Sequence, residues 1–157
     1  MGQALTLPGE SIGMIGFFAP LVPRITARGA RVVVVELRAD LVGERDGVRV
    51  TLDARELHAC DKVLATGTLL LNDTLDGMLL HTRHASRVAL IGPSVGCPPD
   101  PLFARGVTLL GGNWIIDPAA YVEALLSGSS TAKAARKSAL TPAQYPGWDT
   151  LADRAAR

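Results

Sequence analysis

With only two cysteines, Cys60 and Cys97, in 157 residues, the sequence offers no disulfide framework. The two lie too far apart for a CxxC motif, and such sparse usage favours a reducing interior. An excess of one charge is lacking as well. Sixteen basic against fifteen acidic residues leave a formal net charge of +1, too little to draw nucleic acid or an anionic membrane onto the protein. Long apolar runs are missing too. The longest, such as Val32 to Val35 and Leu69 to Leu71, are strand-sized, and Met1 to Pro8 lacks a basic stretch followed by a long apolar one. No nucleic-acid or membrane partner is expected, and the expected location is cytoplasmic. HExxH, Walker A and Ser/His/Asp patterns are also absent, which leaves hydrolase and phosphotransferase readings without a motif.

What the sequence does hold is a packed-domain composition, 48% hydrophobic and 20% charged, at a length that encloses one sizeable core. Apolar runs recur, each closed by glycine or a polar residue and followed by a helical stretch. Ser11-Ile-Gly-Met-Ile-Gly16 reads as strand and turn, with Pro20 and Pro23 delaying the helix that stops at Gly29. Arg31-Val-Val-Val-Val-Glu36 is β-branched without a break, as in a strand buried on both faces of a parallel sheet. Asp40 to Asp53 reads as a loop with one small strand at Val48 to Leu52, and Asp53 caps a short helix through Ala59. Lys62 to Thr66, Arg87 to Ile91 and Val107 to Leu110 are further strands. Asn72 or Asp73 caps a helix over 73–83, and Asp117-Pro118 opens one over 119–126.

Five or six strands alternating with helices predict a Rossmann-like α/β fold: an open, doubly wound, mostly parallel sheet with helices on both faces. The expected domain is 1–128, followed over 129–157 by a helix fragment and a mobile tail. No internal repeat is visible.

In this architecture ligands sit beyond the carboxyl ends of the strands, where the strand order reverses. The candidate binding residues are therefore the strand-end loops. The first comprises Gly16, Phe17, Phe18 and Pro20. It falls short of a GxGxxG fingerprint, because Gly13 and Gly16 bracket two residues and position 18 is not glycine. Glu36 ends the second strand, where an acidic side chain can accept hydrogen bonds from ribose hydroxyls or simply face solvent. Thr66, Gly67, Thr68, Asn72 and Thr74 surround a helix start and either receive a ligand or cap the helix. Gly92, Pro93 and Ser94 form a turn that presents a hydroxyl. Cys97 lies in the same loop and is the candidate soft-metal ligand, whereas His58, Cys60, His81 and His84 read as structural or surface residues.

The ordered strings Ile15-Gly-Phe-Phe-Ala-Pro-Leu21, Thr66-Gly-Thr with Asn72-Asp-Thr74, and Gly92-Pro-Ser94 resemble the putative heavy-metal chelation domain family of bacteria and archaea. The resemblance spans about Ser11 to Leu126. It implies a Rossmann-like domain that in longer relatives follows an enolase-N-terminal-like domain, with a ligand cleft between the two. This sequence has no room for that first domain, so a separate companion domain or a homodimer is expected to close the cleft, or the role has diverged. The expected ligand is a small molecule such as an anionic metabolite, a transition metal or a metal complex. Two alternatives stand beside it: a biosynthetic enzyme using S-adenosylmethionine or an NAD-like cofactor with Glu36 on the ribose, and a subunit completing a partner's active site.

Overall fold

The computed structural model describes residues 7–45 and 47–156. Residues 1–6, on which part of the leader reading rests, lie outside the described residues.

The described residues form an eight-stranded sheet: β1 Ser11–Ile15, β2 Arg31–Val35, β3 Gly43–Arg45, β4 Val48–Thr51, β5 Lys62–Thr66, β6 Arg87–Ile91, β7 Leu109–Ile115 and β8 Ala135–Leu140, in the order β3-β4-β2-β1-β5-β6-β7-β8. Six strands, β4-β2-β1-β5-β6-β7, run parallel, while β3 and β8 pair antiparallel to β4 and β7. Counted along the chain, the parallel strands follow the doubly wound order 3-2-1-4-5-6. The chain builds outward from β1 through β2 to β4, then returns to lay β5 on the other side of β1. The order therefore reverses between β1 and β5.

Strand formation follows from burial. In β2 three of the four valines are buried, and in β1 all five residues are. Alternate side chains feed two cores. One contains Ile15, Val35, Val63, Ala65 and Leu90, packed against Leu57, Leu79 and Leu102 from the covering helices. The other contains Met14, Val32, Val34 and Val50 under Val22 and Ile25. Burying a leucine as fully as Leu57 contributes about 1.5–3 kcal/mol, so this packing outweighs the weak propensity of such short helices.

The helices are short. They are α1 Val22–Thr26, α2 Leu75–Leu79, α3 Asp100–Ala104, α4 Pro118–Leu126 and α5 Trp148–Ala155, supplemented by 3₁₀ turns. The expected helix capped by Asp53 is a 3₁₀ segment, Ala54–Ala59, with the Asp53 carboxylate accepting from Arg55 N–H. On the α1 side, the sheet face over β5, β6 and β7 is an open groove of about 400 Å³, with Leu64, Ile91 and Leu109 among its lining and Arg24, Arg28 and Lys137 at its margin.

Three features differ from expectation. The strand count is eight instead of five or six, because the loop at 40–53 contributes β3 as well as β4 and the segment after 128 contributes β8. Ala135–Leu140, in the stretch expected as a helix fragment, is strand β8, paired with β7 from Leu110 opposite Leu140 to Ile115 opposite Ala135. Its alanine and basic residues favour helix locally, but a whole ladder of pairing with β7 decides the outcome. Finally, the cap of α2 is neither Asn72 nor Asp73. The cap position is Thr74, without a side-chain cap bond, and Asp73 takes a left-handed φ of 57°.

The segment after β8 is also attached. Tyr145 donates its hydroxyl proton to Asp100 Oδ2 at 2.6 Å, and Trp148 N–H donates to Asp100 Oδ1 at 3.1 Å.

Candidate functional site

At the reversal of strand order, the carboxyl ends of β1, β2 and β5 enclose a cleft of about 290 Å³. Gly16, Phe17, Phe18, Glu36, Thr66, Thr68 and Asn72, all singled out in the sequence, line it. Beyond Phe17 and Phe18, its apolar wall was not anticipated. Ile15 and Val35 end β1 and β2, and Leu37, Leu69 and Met78 complete the wall. The signal available was the strand-end rule itself, applied to the last residue of each strand as well as to the loop beyond it.

Each polar wall residue is held by a local bond. Gly16 has φ +88°, and a Cβ there would lie 3.0 Å from Thr66 Cγ2, so glycine serves both the turn and the close approach of β5. Gly16 N–H donates to Val35 carbonyl at 2.9 Å, which ties the turn to β2. Glu36 then clamps the next residue: Phe17 N–H donates to Glu36 Oε1 at 2.7 Å, and Leu37 N–H to Oε2 at 3.2 Å. Each carboxylate oxygen keeps accepting capacity beyond those bonds. Thr66 and Thr68 share a hydroxyl hydrogen bond of 3.0 Å.

Asn72 closes the loop after β5. Oriented to satisfy its surroundings, its amide nitrogen donates to Thr74 Oγ1 at 2.6 Å and to the carbonyls of Leu69 and Thr68 at 3.2 Å. Asn72 and Thr74 thus brace the 68–74 turn, which accounts for their presence without a ligand.

Gly67, Gly92 and Ser94 form the layer behind the wall. A Cβ on Gly67 would stand 2.6 Å from Val95 Cγ2 and 3.3 Å from Ser94 Cβ, and Gly92 N–H is bound by Gly111 carbonyl at 2.9 Å. Pro20 and Pro93 are exposed and do not line the cleft. Cys97 is also exposed and outside the cleft. Among the described residues no group of three or more His, Cys, Asp or Glu side chains is placed to hold a metal ion.

Electrostatically the cleft carries one carboxylate, Glu36, and among the described residues no cation lines its walls. It also lacks a pyrophosphate cradle. Pro20 and Pro23 remove backbone donors at the start of the helical segment, and Leu21 N–H is bonded to Phe18 carbonyl at 2.8 Å. The rim is apolar, with Leu37 56% and Leu71 73% exposed. Large exposed side chains continue at the carboxyl end of β7 and on α4, as Trp114, Ile116, Val122 and Leu126.

Six parallel strands in 3-2-1-4-5-6 order, with a cleft at the reversal, define a Rossmann-like domain. Within that class the chain belongs to the DUF364 family, described as putative heavy-metal chelation, whose model matches residues 3–144. An uncharacterized protein of Methanocaldococcus jannaschii is 30% identical over 118 residues, covering 72% of this chain and 45% of its own length. Among solved structures, a DUF364-family protein of unknown function from Pyrococcus horikoshii superposes with a TM-score of 0.72 at 21% identity, covering 84% of this chain and 54% of that one. A second, from Desulfitobacterium hafniense, gives 0.69 at 22% identity, covering 86% and 54%. Arogenate dehydrogenase of Synechocystis shares the fold at a TM-score of 0.55 and 18% identity, covering 93% and 55%. The chain spans about half the length of these relatives.

Among the described residues no helix is long and apolar enough to cross a membrane.

Proposed function

We propose that this chain is the Rossmann-like half of a small-molecule-binding protein that takes up a metal complex in the cleft between β1 and β5. The observation that carries the reading is the wall chemistry. One carboxylate, two linked hydroxyls and an apolar floor suit a ligand that offers hydroxyl or N–H donors, or positive charge, to Glu36, Thr66 and Thr68. An anionic metabolite finds no cation in the cleft walls among the described residues. A bare heavy-metal ion does not fit either, since Glu36 is the only carboxylate there and no thiolate or imidazole joins it. The metal would therefore arrive with its own organic ligands, and Glu36 and Thr68 would grip those ligands.

The exposed leucines on the rim support a partner surface closing the cleft, either a second copy in a homodimer or a separate companion domain. In that arrangement the chain completes a binding site shared with its partner. Two free cysteines accord with a reducing, cytoplasmic setting.

Native mass spectrometry with elemental analysis of the purified protein tests the reading. Wild-type protein retains a metal-bearing small molecule, and Thr68→Val and Glu36→Gln lose it while remaining folded. Absence of any retained or acquired complex across a panel would end the proposal.

Glu36 also supports a second reading, an enzyme binding an adenosyl cofactor, because a carboxylate after the second parallel strand can accept from ribose hydroxyls. The missing pyrophosphate cradle counts against an NAD-like dinucleotide but not against S-adenosylmethionine. Thermal stabilisation by S-adenosylmethionine that Glu36→Ala abolishes would support this reading, and no shift would remove it.

A further inference from the structure

The chain has three histidines, and the fold gathers all of them at the amino-terminal ends of β5 and β6, on the opposite edge of the sheet from the cleft. His58 Nε2 and His81 Nδ1 face each other at 3.0 Å. Their rings stack with centroids 5.1 Å apart and planes 25° apart, and the His84 ring lies edge-on to His58 at 6.4 Å. His58 and His81 are 23 positions apart, so the juxtaposition is a product of the tertiary fold.

We propose that His58 and His81 form a two-imidazole clamp for a divalent transition-metal ion, Cu²⁺ above all, with water completing the shell. This inference is independent of the ligand assigned to the cleft.

The spacing carries the argument. Metal–imidazole bonds of about 2.0–2.1 Å set at right angles place two nitrogens about 2.9 Å apart, whereas tetrahedral angles place them about 3.3 Å apart. The observed 3.0 Å is that of a hydrogen bond between the two rings, and it already holds the nitrogens close to the separation that either arrangement needs. Copper heads the general affinity order for nitrogen donors.

The backbone behind the pair is fixed. His58 follows Leu57, which is fully buried, and His81 precedes Thr82, which is buried and donates its hydroxyl proton to Leu79 carbonyl at 3.0 Å. His58 itself is exposed and His81 half-buried, so the rings can make the small rotation that aims both lone pairs at one ion. Asp53 adds favourable charge. Hydrogen bonds from the Arg55 side chain first, then Arg55 backbone N–H, hold its carboxyl down to about 2, with His81 among the smaller contributors, so it stays anionic near His81.

Proton bookkeeping is simple. Without metal, one of the facing nitrogens carries the hydrogen that the other accepts. On binding, that ring moves its proton to the far nitrogen through solvent, and His58 through Nε2 and His81 through Nδ1 both coordinate as neutral imidazoles.

The test is titration of chelator-stripped protein with Cu²⁺ alone, followed by calorimetry and electron paramagnetic resonance. One equivalent is expected, with nitrogen hyperfine structure from two imidazoles. His58→Gln and His81→Gln should each weaken binding by about tenfold or more, the loss of one metal–nitrogen bond, with the circular dichroism spectrum unchanged. Cys97→Ser and Thr68→Val should leave the titration as it was. Copper uptake that survives in the His58→Gln/His81→Gln double variant, or that disappears in Cys97→Ser, overturns the proposal. So does the absence of copper binding by wild-type protein.

Discussion

Replacing Gly16 by alanine tests two physical claims about the cleft at once. The first is conformational: at φ +88° an L-residue costs about 1–2 kcal/mol relative to its relaxed state. The second is steric, because the new methyl would sit 3.0 Å from Thr66 Cγ2 and 3.3 Å from Thr66 Cβ, so β5 or the turn must yield by a few tenths of an ångström. Such crowding adds roughly 1 kcal/mol, at the low end for overpacking. The two contributions separate in a double variant. Thr66→Ser removes Cγ2 but leaves φ untouched, so Gly16→Ala/Thr66→Ser should recover only the steric part. Urea unfolding followed by circular dichroism gives the free energies, and a Tm decrease of about 2–4 °C per kcal/mol is the expected thermal counterpart for a domain of this size. A Gly16→Ala protein within about 0.5 kcal/mol of wild type would refute the argument, since that lies inside the scatter of ordinary surface substitutions. Full recovery in the double variant would refute the conformational half alone.

Three further outcomes follow from geometry described above. Gly67→Ala should cost about 1–3 kcal/mol by driving a methyl into Val95, and Val95→Ala should restore most of it; an unperturbed Gly67→Ala unfolding curve would contradict the packing of that loop. Lys62 donates to both Glu10 oxygens at 2.7 Å, and this bond, then Leu7 N–H, holds the Glu10 carboxyl below the usual glutamate range. A depressed carboxyl stabilises the fold above its unfolded-state pKa and loses that contribution as pH falls through the folded one. The stability gap between wild type and Lys62→Met should therefore shrink on acidification below the usual glutamate range, and a pH-independent gap would discount the pair. Tyr145→Phe deletes the 2.6 Å bond to Asp100, so amide hydrogen exchange should accelerate across 141–156 while β1 and β5 keep their protection; unchanged exchange there would mean the contact holds nothing in place.

Strands β1, β2, β5 and β6 were legible because each is an apolar run closed by a turn residue, and Val32 to Val35 suits burial on both faces of a parallel sheet, whereas β4 showed only as a short alternation and β7 lies at Leu109–Ile115 instead of the expected Val107 to Leu110. β3 and β8 were not legible. Gly43–Arg45 is wholly exposed, and Ala135–Leu140 carries two basic residues, so neither shows the apolar signature of a strand; each exists because a neighbouring strand offers a ladder. At the site, Gly16, Glu36, Thr66 and Thr68 were found because polar residues after apolar strands stand out. Leu69 and Met78 were hidden because a cleft wall and a core look alike in sequence. Asn72 was visible as a residue but not in its bracing role, which depends on carbonyls that only the folded turn brings together. The histidine pair was beyond local reading, since His58 and His81 meet through the packing of two separate 3₁₀ turns.

The antiparallel strands at the two margins of the sheet bear on how this protein can meet another molecule. Glu44 and Arg45 occupy one margin, Arg136 and Lys137 the other, and all four are exposed. Charged, irregular borders discourage a neighbour from extending the sheet by adding a strand. Association by simple elongation, the usual hazard of an open sheet, is therefore disfavoured at both margins. The faces and the loop tips carry no such charged border, and it is at those tips that the apolar rim of the cleft is exposed.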